Sequence, residues 1–444
     1  MTPILTWGKI DMVWIIIGLG LLLIALLGLP IGIGLALIGL SVLRFVAGGG
    51  ESLAITSVWS VLSDFTLAAV PIFIFMGEIL LVSGVSSRIY NAMSPFFARV
   101  PGRLLHTNIA VCTIFGAVSG ASTSTAAAVG SVAYPELRSR GYDRAYVVAT
   151  LAAGGTLGLL IPPSLSLLLY GATQGVSIGR LFLAGVFPGL MLAAMFMTLI
   201  FLRCRSNKNL TGEAEMAAMP WSKRLLGLLQ IWPIAFIAFA VLGTLYMGLA
   251  TPTEAAALGV VASVITGFAW GQLDLRKLFL AFMTSTRVFA TIATVIIGAL
   301  ILSQSLTILG VPQQLVGTIT DMGLGRYGVL LVIVGMYLIL GCFFDGISLL
   351  LMTVPIIFPV MLAAGFDPVW TGVIITILIE VGMLTPPVGM NLFVLTAITE
   401  GEVTLGEAAA AALPFWGLML TAIVILAWSP EIALWLPDMV MGGK

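Results

Sequence analysis

Little of this chain carries charge. Lys and Arg together number 19 and Asp and Glu 19 in 444 residues, for a formal net charge of +0. A nucleic-acid partner calls for a basic stripe, which such a balance does not supply. Cys112, Cys204 and Cys342 are odd in number and lie in or beside apolar runs, so neither a disulfide framework nor a metal-ligand spacing follows from them. His106 is the only histidine. It sits at the edge of an apolar run and reads as an interfacial residue without a catalytic role. His-Glu-x-x-His, Walker and Gly-x-Ser-x-Gly patterns are all missing, which removes support for a metalloprotease, an ATP-driven pump or a serine hydrolase. The N-terminal stretch holds Lys9 but no small-residue cleavage site before Pro30, and reads as a retained first helix.

What fills the chain instead is apolar: 60% of it is hydrophobic and 9% charged. Apolar runs of about 17 to 25 residues recur along its length, as bilayer-spanning helices require. The expectation is an all-α polytopic membrane protein. The one long polar stretch, 203–224, holds Arg203, Arg205, Lys208, Lys223 and Arg224 around Glu213 and Glu215, and the positive-inside rule places it in the cytoplasm. It divides a first half, 1–202, from a second, 225–444. Apolar segments fall at about 12–28, 30–47, 64–83, 104–137, 145–172 and 179–202, then at about 231–250, 252–270, 289–309, 328–362, 368–399 and 408–436.

Two of these segments are too long for one crossing. The stretch 104–137 is interrupted at Ser119-Gly120-Ala121-Ser122-Thr123-Ser124 and flanked by Arg99 and Arg103 on one side, Arg138, Arg140 and Arg144 on the other. Basic residues at both ends imply a hairpin that enters and returns. Its partner 328–362 is interrupted at Phe343-Phe344-Asp345-Gly346-Ile347-Ser348. Behind each hairpin comes a segment carrying a double proline: Pro162-Pro163 in 145–172 and Pro386-Pro387 in 368–399. When the two halves are aligned on Pro135 and Pro359 without gaps, Gly141 meets Gly365, Asp143 meets Asp367, and Gly158 and Leu160 meet Gly382 and Leu384. Both proline pairs fall in the same register. The loop Arg138–Arg144 is basic and its counterpart 362–368 is not, the asymmetry of an inverted-topology repeat.

The breaks are where chemistry is expected. Two prolines force an unwound link, freeing carbonyls that suit a sodium ion and half-helix N-termini that suit an anion. Plain kinks in structural helices are the bland alternative. The hydroxyls of Ser119, Ser122, Thr123, Ser124 and Thr125 surround Gly120, although Ser and Thr also serve ordinary helix packing. Asp345 is a carboxylate in an apolar run, an arrangement that is costly and usually marks an ion or substrate path. Glu380 is a second candidate. Glu78 and Glu254 read as buried but structurally paired, and Asn391, one turn past Pro387, as able to orient a carbonyl or ligand.

The runs Phe115–Ser122, Tyr134–Leu137, Gly158–Ser164, Phe344–Gly346 and Leu384–Gly389 together resemble the large membrane (M) subunit of tripartite ATP-independent periplasmic (TRAP) transporters. That resemblance covers essentially the whole chain. It implies two inverted repeats, each with a re-entrant hairpin and a broken helix, of the ion-transporter elevator type in a bacterial inner membrane. It implies a sodium-coupled importer of an organic acid, such as a dicarboxylate or sialic acid, delivered by a soluble periplasmic binding protein. A small four-helix membrane Q subunit would be a separate chain. By the same resemblance Ser119, Gly120 and Ser122 would serve one sodium site, and Asp345, Gly346, Thr385 and Pro386 another. Thr123, Ser124, Pro163 and Asn391 would face the substrate. No cofactor beyond the coupling ions is implied, and no enzymatic activity. A self-sufficient sodium- or proton-coupled carboxylate transporter or antiporter of the same repeat type stays open, as does, more remotely, a membrane enzyme or scaffold subunit.

Overall fold

The computed structural model describes residues 7–212 and 220–442. Among them every regular element is helical and there is no strand. Glu213 and Glu215 of the polar stretch lie outside the described residues, as does the side chain of Lys223. Eight of the described helices are long and apolar enough to cross a membrane, and shorter apolar helices, including Leu104–Ser119, Arg326–Leu340 and Pro368–Met383, add to them.

Both over-long runs are helix–turn–helix units. The first hairpin is Leu104–Ser119 and Ser122–Ser139, and the second Arg326–Leu340 and Gly346–Ala363. Each is followed by a broken helix. Arg144–Leu160 stops at the double proline and resumes as Leu165–Gln174; Pro368–Met383 stops likewise and resumes as Met390–Ile398. The starts are fixed by matching caps: Asp143 Oδ1 accepts from Tyr146 N at 2.7 Å, and Asp367 Oδ1 from Val369 N at 2.7 Å and Trp370 N at 3.0 Å. Each hairpin also meets its own broken helix backbone to backbone. A Cβ on Gly116 would lie 2.8 Å from Gly158 Cα, and one on Gly341 2.7 Å from Gly382 Cα.

The register seen in the sequence reappears in the helix bounds. Moved along the chain by the interval from Pro135 to Pro359, Ser122–Ser139 falls on the bounds of Gly346–Ala363 at both ends. Contacts at the helix ends give the directions. At one end of the molecule the first broken helix begins beside the loop that follows the second, where Arg138 and Arg144 pair with Glu402, the latter at 3.7 Å. At the other end Tyr170 OH, near the finish of the first, donates to Pro368 O at the start of the second, at 2.7 Å. The two broken helices therefore run in opposite directions.

A second layer flanks these elements. The unbroken helix Leu275–Ile308, 34 residues and about 51 Å long, lies against Ile31–Val42 so closely that a Cβ on Gly298 would sit 2.0 Å from Gly32 O. In sequence this helix was expected from about 289; the polar residues Arg276, Lys277 and Arg287 hid its first turns. Further helices escaped notice, among them Glu51–Leu62, Val85–Phe97, Trp221–Leu228 and Val311–Asp321, because they are short and carry polar faces. The segment read as 408–436 is two helices, Leu405–Trp428 and Glu431–Met441, parted at Ser429-Pro430.

One single-residue expectation is corrected. Glu254 is exposed rather than buried, because it closes a capping box: its carboxylate accepts from Thr251 N at 2.8 Å while Thr251 Oγ1 accepts from Glu254 N. His106, in the first turn of the first hairpin, is buried within the protein, 2.7 Å from Pro101 O and stacked on Phe97 at 5.8 Å.

Candidate functional site

The hairpin tips are held by the breaks. Gly120 ends Leu104–Ser119 in the left-handed region (φ 66°), which glycine adopts without strain, and a Cβ there would lie 2.8 Å from Pro163 O. Leu165 N, just past Pro162-Pro163, donates to Gly120 O at 3.0 Å. The second half repeats the arrangement: Val388 N, just past Pro386-Pro387, donates to Cys342 O at 3.2 Å. Each double proline is thus tied to the tip of its own hairpin, with both peptides between the paired prolines cis.

Around the first tip oxygens gather. Ser119 Oγ lies 2.6 Å from Thr125 Oγ1, and Ala121 O accepts from Thr125 Oγ1 at 2.7 Å, Ser119 Oγ at 3.2 Å and Ser124 Oγ at 3.4 Å. At the second tip Asp345 is half-buried and caps Gly346–Ala363, accepting from Ser348 N at 3.2 Å. At the break behind it Thr385 Oγ1 donates to Val381 O at 2.7 Å and accepts from Trp416 Nε1 at 3.1 Å, while Pro386 is exposed.

Between the two tips lies a cavity of about 370 Å³, within the range that small ligands occupy. Ala121, Ser122 and Thr123 form one wall, and Asp345, Gly346, Ile347 and Ser348 the facing one. Leu159, Met383 and Met390, which flank the two breaks, also line it. A further wall comes from Val288, Thr291, Ile292 and Val295 of the long helix. Asp345 is the only ionisable residue in this lining, so the space is apolar with one carboxylate and a few hydroxyls.

Of the residues singled out in sequence, Ser122, Thr123, Asp345 and Gly346 meet in this cavity. Asn391 stands directly behind it, wholly buried, with Nδ2 donating to Ser122 Oγ at 2.7 Å and to Ala152 O at 3.0 Å. Ser119, Gly120, Ser124 and Pro163 lie at the first tip without lining the cavity, and Thr385 and Pro386 at the second break likewise. Glu380 is wholly buried, does not line the cavity, and neither carboxylate oxygen has a hydrogen-bond partner among the described residues.

The long-helix wall was invisible in sequence, since Val288, Thr291, Ile292 and Val295 read as ordinary membrane residues. Also missed was a polar link between the broken helices: Ser166 Oγ, just past the first break, lies 3.1 Å from Thr376 Oγ1 in the middle of Pro368–Met383 and donates to Leu159 O at 3.1 Å. Serine just past a Pro-Pro pair was the available signal.

The family profile described as "Tripartite ATP-independent periplasmic transporter, DctM component" matches residues 18–432. The C4-dicarboxylate TRAP transporter large permease protein DctM of Pseudomonas aeruginosa is 33% identical over 404 residues, covering 90% of this chain and 92% of that one. The isethionate TRAP transporter permease protein DctMQ of Oleidesulfovibrio alaskensis is 30% identical over 422 residues, 92% of this chain but 64% of that longer one. Among solved structures the YdaH transporter of Alcanivorax borkumensis shares the fold, with a TM-score of 0.60 at 13% identity over 89% of this chain and 90% of the other. The chain belongs to the DctM family: it is a large permease subunit of a tripartite ATP-independent periplasmic transporter, a multi-pass inner-membrane protein that transports rather than catalyses.

Proposed function

We propose that this permease imports an organic acid, dicarboxylate or sialic-acid-like, together with sodium ions and by an elevator motion. The observation that carries the reading is the cavity itself, lined by both hairpin tips and by residues flanking both breaks. Sodium takes oxygen ligands, and broken membrane helices supply them as freed carbonyls. Ser119, Gly120 and Ser122, within the oxygen cluster around Ala121 O, would hold one ion; Asp345, Gly346, Thr385 and Pro386 would hold another. Thr123 at the cavity wall and Asn391 behind it suit the substrate side, with Ser124 and Pro163 further off.

The opposed directions of the broken helices and the shared register of their helix bounds support reading the halves 1–202 and 225–444 as an inverted duplication joined by the linker 203–224. The tight pairing of Ile31–Val42 with Leu275–Ile308 supports treating those helices as the fixed frame. The hairpins and broken helices would then be the moving body. A soluble periplasmic binding protein would deliver the acid, and the small membrane Q subunit would be a separate chain here. The partial coverage of the DctMQ relative supports a fused arrangement in that protein.

Reconstitution in liposomes tests this. Uptake is expected to need the Q subunit, the binding protein and an inward sodium gradient. Uptake by this chain alone, driven by protons without a binding protein, would instead establish the self-sufficient carboxylate transporter.

A further inference from the structure

The two halves treat one matched pair of helices differently. In the first half Leu104–Ser119, the entering arm of the hairpin, packs against Ile178–Ser206. A Cβ on Gly102, just before that arm, would lie 2.6 Å from Ile200 Cγ2. Phe196, Ile200 and Cys204 are buried there. The interval from Pro135 to Pro359 carries these three onto Leu420, Val424 and Trp428 of Leu405–Trp428. In the second half the matching helices are parted by a groove of about 660 Å³, with Val424 62% and Trp428 83% exposed. The covering helix differs too. Val85–Phe97 packs on the first arm, with Tyr90 OH donating to Asn108 Oδ1 at 3.3 Å, whereas Val311–Asp321 packs on Gly346–Ala363, the other arm of its hairpin.

The groove has an apolar body and a cationic mouth. Tyr327, Leu331 and Val334 belong to one wall, and Leu420, Val424 and Trp428 to the other. Seven helical residues give it a length of about 10 Å, most of the roughly 15 Å of hydrocarbon in one leaflet. Tyr327 and Trp428 stand at the same end, as aromatics at a membrane interface do. At that end Arg326 lies over the Phe366 ring at 4.3 Å, Phe366 stacks on Trp370 at 4.8 Å, and Trp370 Nε1 donates to Leu426 O at 3.0 Å. This pile bridges the start of one wall and the finish of the other, and sets a guanidinium at the mouth. Among the described residues no carboxylate forms an ion pair with Arg326, and Asp367 beside Phe366 is engaged in capping Pro368–Met383.

We propose that this groove binds an anionic phospholipid of the surrounding bilayer, with one acyl chain between the two walls and the phosphate on Arg326. The chain takes apolar surface that the first half covers with protein, and a planar guanidinium suits a phosphate. The lipid then fills the gap between the second hairpin and Leu405–Trp428, where the first half has direct helix contact. The arm leading to Asp345 is braced by lipid on this side and by its close approach to Gly382 on the other. The site is independent of which solute the permease carries.

The complete membrane complex, purified in detergent, is probed with dioleoyl phosphatidylglycerol and with dioleoyl phosphatidylcholine, whose own cation competes with Arg326. Native mass spectrometry reads the retained lipid, and the melting temperature reads its effect. Wild type is expected to prefer phosphatidylglycerol and to melt higher with it. Arg326→Gln keeps a planar group over Phe366, and is expected to weaken phosphatidylglycerol retention about tenfold or more while leaving phosphatidylcholine unchanged. Leu331→Trp fills the groove from an exposed position and is expected to lose one bound lipid. Val424→Trp, from the opposite wall, takes its place if that variant does not assemble. Leu190→Trp, exposed on Ile178–Ser206 and outside the groove, is expected to keep the wild-type complement. Equal retention of phosphatidylglycerol by wild type and Arg326→Gln overturns the headgroup contact. Undiminished lipid in the groove-filling variants, or an equal loss in Leu190→Trp, overturns the site.

Discussion

Replacing Asp345 by asparagine separates what this side chain does for the fold from what it does for transport. Asn caps a helix about as well as Asp, so the contact to Ser348 N survives and the cost in stability stays within a few tenths of a kcal/mol. Asp345→Ala also removes the cap, at about 1 kcal/mol, which a protein of this size tolerates. Both remove the only ionisable group in the cavity lining. A unit charge about 4 Å away contributes about 4 kcal/mol at an effective dielectric constant near 20, and roughly half of that remains once the asparagine oxygen still coordinates. A loss of about 2 to 4 kcal/mol corresponds to roughly a 30- to 700-fold weaker sodium affinity. The assay is sodium-dependent uptake into proteoliposomes, with membrane insertion and melting temperature measured in parallel. Both variants are expected to insert normally and to lose uptake, asparagine with an unchanged melting temperature. Wild-type sodium dependence in Asp345→Asn would refute the reasoning.

Gly298→Ala drives a methyl group into Gly32 O, and is expected to lower the melting temperature by the equivalent of about 1–3 kcal/mol, the cost of overpacking; a normal melt would mean that the long helix is not held as described. A double-mutant cycle of Ser166→Ala and Thr376→Val should give a coupling of about 1 kcal/mol in thermal stability, and additive effects would deny the link between the broken helices. His106→Phe keeps the stack on Phe97 and loses one hydrogen bond to Pro101 O, so uptake should stay near wild type while stability falls by about 1 kcal/mol.

The punctuation of the chain was legible because it breaks a strong pattern. Pro162-Pro163, Pro386-Pro387 and the polar tip Ser119–Thr125 stand out against apolar runs, and each marks a real interruption of a helix. Apolar content alone was a weaker guide to extent. Arg276, Lys277 and Arg287 depress the hydropathy of the first turns of Leu275–Ile308, so only its later part was expected. Val85–Phe97 and Val311–Asp321 carry too many polar residues to register as spans. Glu254 was misread for a different reason. Thr251-Pro252-Thr253-Glu254 contains a capping box, a local signal overlooked beside the expectation that a carboxylate in an apolar region is buried.

Partners in space were the part that sequence did not carry. Asn391 and Ser122 are 269 residues apart, and Ser166 and Thr376 are 210 apart. Only the opposed course of the broken helices brings such pairs together, so the hydroxyls were visible as a set while their bonds were not.

The long helix gives the cavity one graduated wall. Thr291 and Val295 line it, while Arg287, one turn before Thr291 and about 6 Å from it along the same continuous helix, lies outside the lining. Under the proposed elevator motion, a passenger carried one such interval toward Arg287 would leave a hydroxyl and aliphatic surface for a cationic one. The same grip on the cargo would then meet a different counter-surface, so under that proposed motion affinity changes without any rearrangement of the tips themselves.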